Sequence, residues 1–282
     1  MNTLSYLFLF ALVAMLLTEY WLGRRQIRNV DAHRDHVPDA FTDNIDIDTH
    51  RKAADYTIAR TRFGLVSGTY AALILVLFTL GGGLQLIDDT SRGMLDSPLA
   101  IGVLFVLITV IANALLELPF TLYKTFRLEG RFGFNKTTPG LFVSDMIKQL
   151  LLSLIIGVPL IFVALWLMQA SGSLWWLYLW LVWMAFNLLA MIVYPIWIAP
   201  LFNKFKPLED ESVSSSVTSL LERTGFKVQG LFVVDGSKRS AHSNAYFTGL
   251  GKAKRVVFFD TLLDKLSTDE IVAVLALSLI HI

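Results

Sequence analysis

Leu231-Phe-Val-Val-Asp235-Gly-Ser-Lys-Arg-Ser240-Ala-His-Ser-Asn-Ala245-Tyr-Phe-Thr-Gly249 is the stretch on which the reading of this chain turns. It opens as a short apolar strand, Leu231 to Val234, and passes into a polar, hydroxyl-rich loop that ends at Gly249. Runs of β-branched and aromatic residues bounded by Gly and polar clusters read as strands. A second such run, Arg255 to Phe259, follows, and then Asp260-Thr-Leu-Leu. Ser267 and Glu270 have the spacing of a capping box, which predicts a helix from near Thr268 carrying the apolar run Ile271 to Ala276. The end of the chain therefore reads as α+β.

The rest is of another kind. Over the whole chain 55% of residues are hydrophobic and only 17% charged, too apolar for a soluble domain. A formal net charge of +1 implies no bulk attraction to nucleic acid. With no cysteine there are no disulfides, no thiolate catalysis and no Cys-type zinc site. Met1 to Leu22 lacks a basic start and a small-residue cleavage site, so it reads as a retained membrane helix.

Five segments are long and apolar enough to cross a bilayer: Leu4–Leu22, Phe63–Ile87, Leu99–Leu118, Leu150–Gln169 and Leu174–Ile198. The basic residues next to them lie on one side. Arg24, Arg25 and Arg28 follow the first span, and Arg60 and Arg62 precede the second. Lys124, Arg127, Arg131 and Lys136 sit between the third and fourth, and Lys204 and Lys206 follow the fifth. The positive-inside rule then predicts an outside N-terminus and a cytoplasmic 200–282 segment. Polar residues within the spans are few (Asn113, Glu117 and Asn187 among them), fewer than a transporter usually carries.

Between the third and fourth spans, Leu118 to Pro139 mixes aromatics with bases, the composition of an interfacial anchor, and Thr138-Pro139 predicts a helix start. After Pro200 the composition changes. Glu209 to Gly225 predicts an amphipathic helix with acids in its first turn, Val213, Val217, Leu220 and Leu221 on one face, and Gly225 as the stop. Two domains are expected: a membrane region, 1–200, and an incomplete second domain, 201–282.

Strand, edge strand, helix is the order in which a zincin-type metallopeptidase presents its substrate groove and then its zinc helix. That helix needs His-Glu-x-x-His, two imidazoles one turn apart with a carboxylate beside them. Here it reads Leu277-Ser278-Leu-Ile-His281-Ile282, with only the second histidine position filled. On its own residues, Ile271 to Ala276 reads as a plain core helix rather than a zinc helix.

The chain resembles the membrane zinc metallopeptidases of the CAAX prenyl protease type 1 family. The matching stretches are Arg127-Leu-Glu-Gly-Arg-Phe-Gly-Phe-Asn-Lys-Thr-Thr, Tyr194-Pro-Ile-Trp-Ile-Ala-Pro-Leu-Phe-Asn203-Lys-Phe, Ser237 to Gly249, and Val256-Val-Phe-Phe-Asp-Thr-Leu-Leu. The resemblance implies a peptide substrate, lipidated in some members, held extended beside an edge strand, with Asn244, Ala245 and Tyr246 in the substrate-strand motif. It also implies a zinc-activated water as the attacking group. Leu277 and Ser278 stand where the first ligand and the general base belong, and His281 is at the second ligand position. His242 has no metal spacing with any other residue and reads as a loop residue.

The match breaks inside the motif, and the tail Leu277 to Ile282 resembles translated sequencing-adapter read-through. The expectation is a mostly α, polytopic membrane protein of five spans with a partial α+β zincin-like cytoplasmic domain, the N-terminal part of a membrane zinc metalloendopeptidase. As written it is expected to bind no zinc and to be inactive, with no catalytic residue in place and His281 a coincidence. Its compact loops fit a bacterial inner membrane. The rival expectations are a non-catalytic peptide-binding membrane protein (a pseudoprotease) and a transporter.

Overall fold

A computed structural model of the chain describes residues 2–249 and 254–279. The chain divides into two compact units, Met1–Phe132 and Gly133–Ile282.

The first unit is helical. α1 (Thr3–Ala32) starts where the Asn2 side chain accepts the Ser5 N–H, and α2 (Ile47–Thr79) where Asp46 accepts the N–H groups of Asp48 and Thr49. These oxygens satisfy donors that a first helical turn leaves unpaired. α3 (Gly83–Met94) is short, and α4 (Pro98–Leu122) begins with Pro at its first position. α4 runs on into a π-helical turn, Tyr123–Glu129.

The expected second span, 63–87, is placed differently. α2 begins earlier and stops at Thr79, and Ile87 belongs to α3. Gly82 has φ +82°, a left-handed conformation that favours glycine, and the Leu80 and Gly81 N–H groups both turn back onto the Val76 carbonyl. Hydropathy averaged across this glycine run sees one apolar stretch; the backbone breaks it in two. α3 buries Ile87 and Ser91 on one face and leaves Leu86 exposed on the other.

In the second unit α5 (Pro139–Ala170) is capped by Thr138, whose Oγ accepts the Leu141 N–H, as its sequence predicts. α6 (Trp175–Val193) passes through a second π-helical turn, Tyr194–Ile198, into α7 (Ala199–Phe202). β1 (Phe205–Pro207), α8 (Glu211–Arg223), β2 (Gly230–Val234), β3 (Ala245–Thr248), β4 (Arg255–Phe259), α9 (Asp260–Leu263) and α10 (Thr268–Leu279) complete it. The strands lie in the order β1-β2-β4-β3. β2 and β4 are parallel, and β1 and β3 are antiparallel to their neighbours.

One face of the sheet carries the core. Val256 and Phe258 of β4 pack with Val213, Val217 and Leu221 of α8 and with Ile271 and Leu275 of α10. Phe258 is fully buried, which stabilises by roughly 1.5–3 kcal/mol relative to exposure. Asp210 caps α8 by accepting the Val213 N–H at 3.0 Å, and Gly225 ends it with φ +68°.

Five helical stretches among the described residues are long and apolar enough to cross a membrane: Thr3–Ala32, Ile47–Thr79, Pro98–Glu129, Pro139–Ala170 and Gly172–Phe202. Almost none of their apolar residues is buried within the protein, as expected of helices whose solvent is lipid.

Candidate functional site

The polar stretch after β2 is held on every side within its unit. Asp235 accepts the Lys204 N–H at 2.7 Å, and the Asp260 carboxylate takes both the N–H (2.8 Å) and the hydroxyl of Ser237. The Arg239 guanidinium makes a two-pronged contact to Asp145 on α5, Nε–Oδ2 2.7 Å and Nη2–Oδ1 2.9 Å, and Nη2 also donates to the Phe202 carbonyl at 2.7 Å. Its own carbonyl accepts the Lys136 N–H and the Thr137 hydroxyl. This fork matches a carboxylate as no lysine could. The Arg239 Nη1 is buried with no hydrogen-bond partner.

Further along, Ala241 donates to the Phe134 carbonyl at 2.9 Å, and the His242 ring stacks on Phe134 at 4.2 Å. Thr261 Oγ donates to the His242 carbonyl, Ser243 Oγ to that of Thr261, and Lys265 Nζ to that of Ala241. His242 is thus a stacked loop residue. Where the residues alone suggest a loop as far as Gly249, the structure has a pinned entry and then β3.

β3 is an edge strand. Its register on β4 pairs Ala245 with Phe258, Tyr246 with Val257 and Phe247 with Val256, and the Phe259 N–H donates to the Asn244 carbonyl at 2.9 Å. In an antiparallel ladder every second residue faces the partner strand. Asn244, Tyr246 and Thr248 therefore turn their backbone groups to β4, while Ala245 and Phe247 turn theirs to the open edge. The Asn244 Oδ1 accepts the Ala245 N–H at 2.9 Å.

The side chains divide the other way. Ala245 and Phe247 pack against the core shared with α8 and α10. Tyr246 lies on the opposite face, its ring edge-on to Phe259 at 6.2 Å, above a groove of about 670 Å³ lined by Leu152, Tyr194, Ile198, Phe202, Phe205 and Thr248 among others. Burial pushes the Tyr246 phenol above its ordinary range, so it stays neutral through physiological pH.

Behind the strand, α10 starts as its sequence predicts: the Glu270 carboxylate accepts the Ser267 N–H and hydroxyl, each at 2.8 Å. Ile271 and Leu275 face the core. Leu277 is turned out, 63% exposed, and Ser278 bonds back onto the Val274 carbonyl at 3.1 Å. His281 lies outside the described residues.

The comparisons decide what this arrangement belongs to. Residues 26–204 match the model of the CAAX prenyl protease N-terminal region, described as five membrane helices, and residues 207–282 match peptidase family M48. The chain belongs to the CAAX prenyl protease family. CAAX prenyl protease 1 of Saccharomyces cerevisiae is 36% identical over 95% of this chain and 61% of its own length. The Homo sapiens CAAX prenyl protease 1 homolog is 33% identical over 89% of this chain and 54% of its own. A crystal structure of S. mikatae Ste24p superposes with a TM-score of 0.85 at 37% identity, covering 94% of this chain and 63% of that one. The chain thus spans less than two thirds of each of these relatives.

With five candidate spans, this member of a membrane protease family is a multi-pass integral membrane protein. Neither of the rival readings, a non-catalytic peptide-binding membrane protein or a transporter, is favoured by these matches. The family implies zinc, and the described residues of α10 do not fit it. An aliphatic side chain stands at position 277 and a hydroxyl turned back on its own helix at 278. Among the described residues no group of three or more His, Asp or Glu side chains could hold a metal ion.

β1 and the Asp145–Arg239 pair escape sequence reading. β1 is three residues long and ends in Pro207. The pair joins residues 94 apart, and its one local signal is Asp145, the single acid of α5.

Proposed function

We propose that this chain supplies the membrane scaffold (1–200) and the opening part of the peptidase domain (201–282) of a membrane zinc metalloendopeptidase acting on CAAX-type or membrane peptides. The substrate lies extended against β3. What supports the reading most is that β3 is an edge strand with a pinned entry. Its outward backbone groups, the Ala245 carbonyl and both groups of Phe247, are a template for β-augmentation, while the Asn244 side chain covers the Ala245 N–H. Asn244, Ala245 and Tyr246 form this subsite. The Asn244 amide sits at the strand's start, and the Tyr246 ring stands over the apolar groove on the far face.

The chain as written binds substrate without hydrolysing it. The family's reaction needs zinc-activated water, with protein ligands for the metal and a general base beside it. Leu277 and Ser278 provide neither, and a lone imidazole at His281 does not complete a ligand set.

The basic loops support a cytoplasmic 200–282 segment. Compact loops fit a bacterial inner membrane, whereas the relatives named above are eukaryotic.

The test is equilibrium binding of a fluorescent CAAX-type peptide, farnesylated and unmodified, to the detergent-purified chain, with zinc content and cleavage products measured in the same samples. Binding that weakens in Asn244→Ala, with substoichiometric zinc and no cleavage, supports the proposal. Binding unchanged in Asn244→Ala sinks the strand assignment. Cleavage with one zinc per chain sinks the inactive reading.

A further inference from the structure

Within the first unit, a cavity of about 1090 Å³ opens between the middle of α2 and the π-helical turn that follows α4. That is just above the roughly 300–1,000 Å³ typical of small-molecule sites. Its walls are of two kinds. One part is apolar: Phe63, Val66, Pro119 and Phe120, with the Phe63 ring stacked on Tyr123 at 5.7 Å and 11°. The other part is three arginines, Arg62, Arg127 and Arg131.

Composition changes between apolar and basic on both sides: α2 carries Arg62 just before its apolar run, and the π-helical turn after α4 carries Arg127, with Arg131 just beyond it. The cavity thus straddles a bilayer interface, with its rings on the hydrocarbon side and its cations at headgroup level.

Two of the three arginines have no acid of their own, and the nearby acids are engaged with other partners. Both Asp55 oxygens are held by Arg34, at 2.8 and 3.0 Å, and Glu129 accepts the Tyr56 hydroxyl at 2.8 Å. Arg131 lies over the Phe132 ring at 5.5 Å and feels the Asp55 charge at longer range. Arg62 and Arg127, both exposed, form no ion pair or side-chain hydrogen bond among the described residues. Cations gathered beside an apolar cleft at a helix end are the chemistry that holds an anionic headgroup, and a guanidinium grips phosphate with two parallel donors. The π-helical turn that places Arg127 is itself a departure from α geometry of the kind found at functional sites.

We propose that this cavity binds an anionic glycerophospholipid, its phosphate on Arg62 and Arg127 and one acyl chain along Phe63, Val66 and Phe120. All of its lining residues belong to the first unit, and binding there needs no peptide activity.

The test is native mass spectrometry of the full chain released from detergent, titrated with dioleoyl phosphatidylglycerol, dioleoyl phosphatidylcholine or inorganic phosphate. One phosphatidylglycerol is expected to be retained, with affinity at least about tenfold above phosphatidylcholine and at least about tenfold lower in the Arg62→Gln/Arg127→Gln double variant. Val66→Trp, at an exposed position and so compatible with folding, fills the apolar part and is expected to abolish retention with every charge intact. Equal retention of phosphatidylcholine, or unchanged retention in either variant, overturns the proposal. Inorganic phosphate competing as well as the lipid would make this a free-anion site and overturn it too.

Discussion

The sheet with its two helices and the membrane spans are both rich in apolar residues, yet they dispose of them in opposite ways. Around β4 the apolar side chains are inside: Val217, Val256 and Phe258 are fully buried, and Ile271 and Leu275 nearly so. Along the spans they are outside, and almost none of the most apolar stretch of any of the five helices is buried. Water drives the first arrangement and is absent from the second, where lipid tails are as apolar as leucine. The same residue type therefore has a different energetic meaning in each. In the sheet a leucine is a packing element; on a span it matches the solvent.

The largest effect that tests this contrast is Phe258→Ala. It removes a fully buried ring from the middle of the core, at an expected cost of about 3–5 kcal/mol. A domain's whole stability is roughly 5–15 kcal/mol, so the 203–279 region is expected to become protease-sensitive while the spans keep their helical circular dichroism. Leu189→Ala on α6, 59% exposed, is expected to change stability by no more than about 0.5 kcal/mol in the same lipid. Urea titration read by pulse proteolysis compares the two. Similar costs for both would break the comparison.

Next comes Arg239→Ala. The Asp145–Arg239 pair is partly buried, with side chains 14% and 22% exposed, and it joins the loop before β3 to the start of α5. Losing one partner strands the Asp145 carboxylate, an expected cost on the order of 3 kcal/mol. Hydrogen exchange should quicken across 236–244 more than in β4. Arg239→Lys is not expected to restore protection, since one ammonium cannot serve Asp145 and the Phe202 carbonyl in the same fork. Uniform loss of protection across the unit would instead make the pair a general stabiliser with no special hold on the strand.

These two residues also mark how far the sequence can be read. Phe258 sits in Arg255–Phe259, a run of β-branched and aromatic residues legible as a strand with its observed bounds. α8 and α10 were equally legible, because acids, caps and a terminal glycine announce them locally. The edge position of β3 came through resemblance, since four residues of mixed character carry little periodicity of their own. Arg239 is legible only as part of a motif. Its partner lies 94 residues away, and nothing local to either residue encodes a contact across that distance. Gly82 failed for the opposite reason: the signal was local, three glycines in a row, but hydropathy averages over it.

Asp210→Ala is smaller, because α8 also has its packed face to hold it. The Asp210 side chain accepts one N–H at the first turn, and losing such a cap costs about 1 kcal/mol. No counterpart is expected at α6, whose start has no side-chain cap bond and whose face is solvated by lipid. The denaturation midpoint of the 203–279 region reads the difference; a cost near that of Phe258→Ala would mean that α8 relies on its cap more than on Val217.

The smallest effect is one that only the water-exposed module can show. Hydrogen bonds from the Ser267 N–H, and then from its hydroxyl, hold the Glu270 carboxyl below its ordinary value of 4.5. A carboxyl lowered in the folded state binds fewer protons there than in the unfolded chain, so its contribution is fully present above the unfolded value and is lost as pH falls through the folded one. Glu270→Gln keeps an acceptor three residues after Ser267, so α10 still has its capping partner and still folds. The stability difference between wild type and variant is expected to be constant from neutral pH down to about pH 5 and to shrink below it, read as denaturation midpoints of the sheet unit at several pH values. A difference that stays constant into strong acid would mean that the Ser267–Glu270 contact carries no charge dependence. α10 would then owe its start to the burial of Ile271 and Leu275 alone.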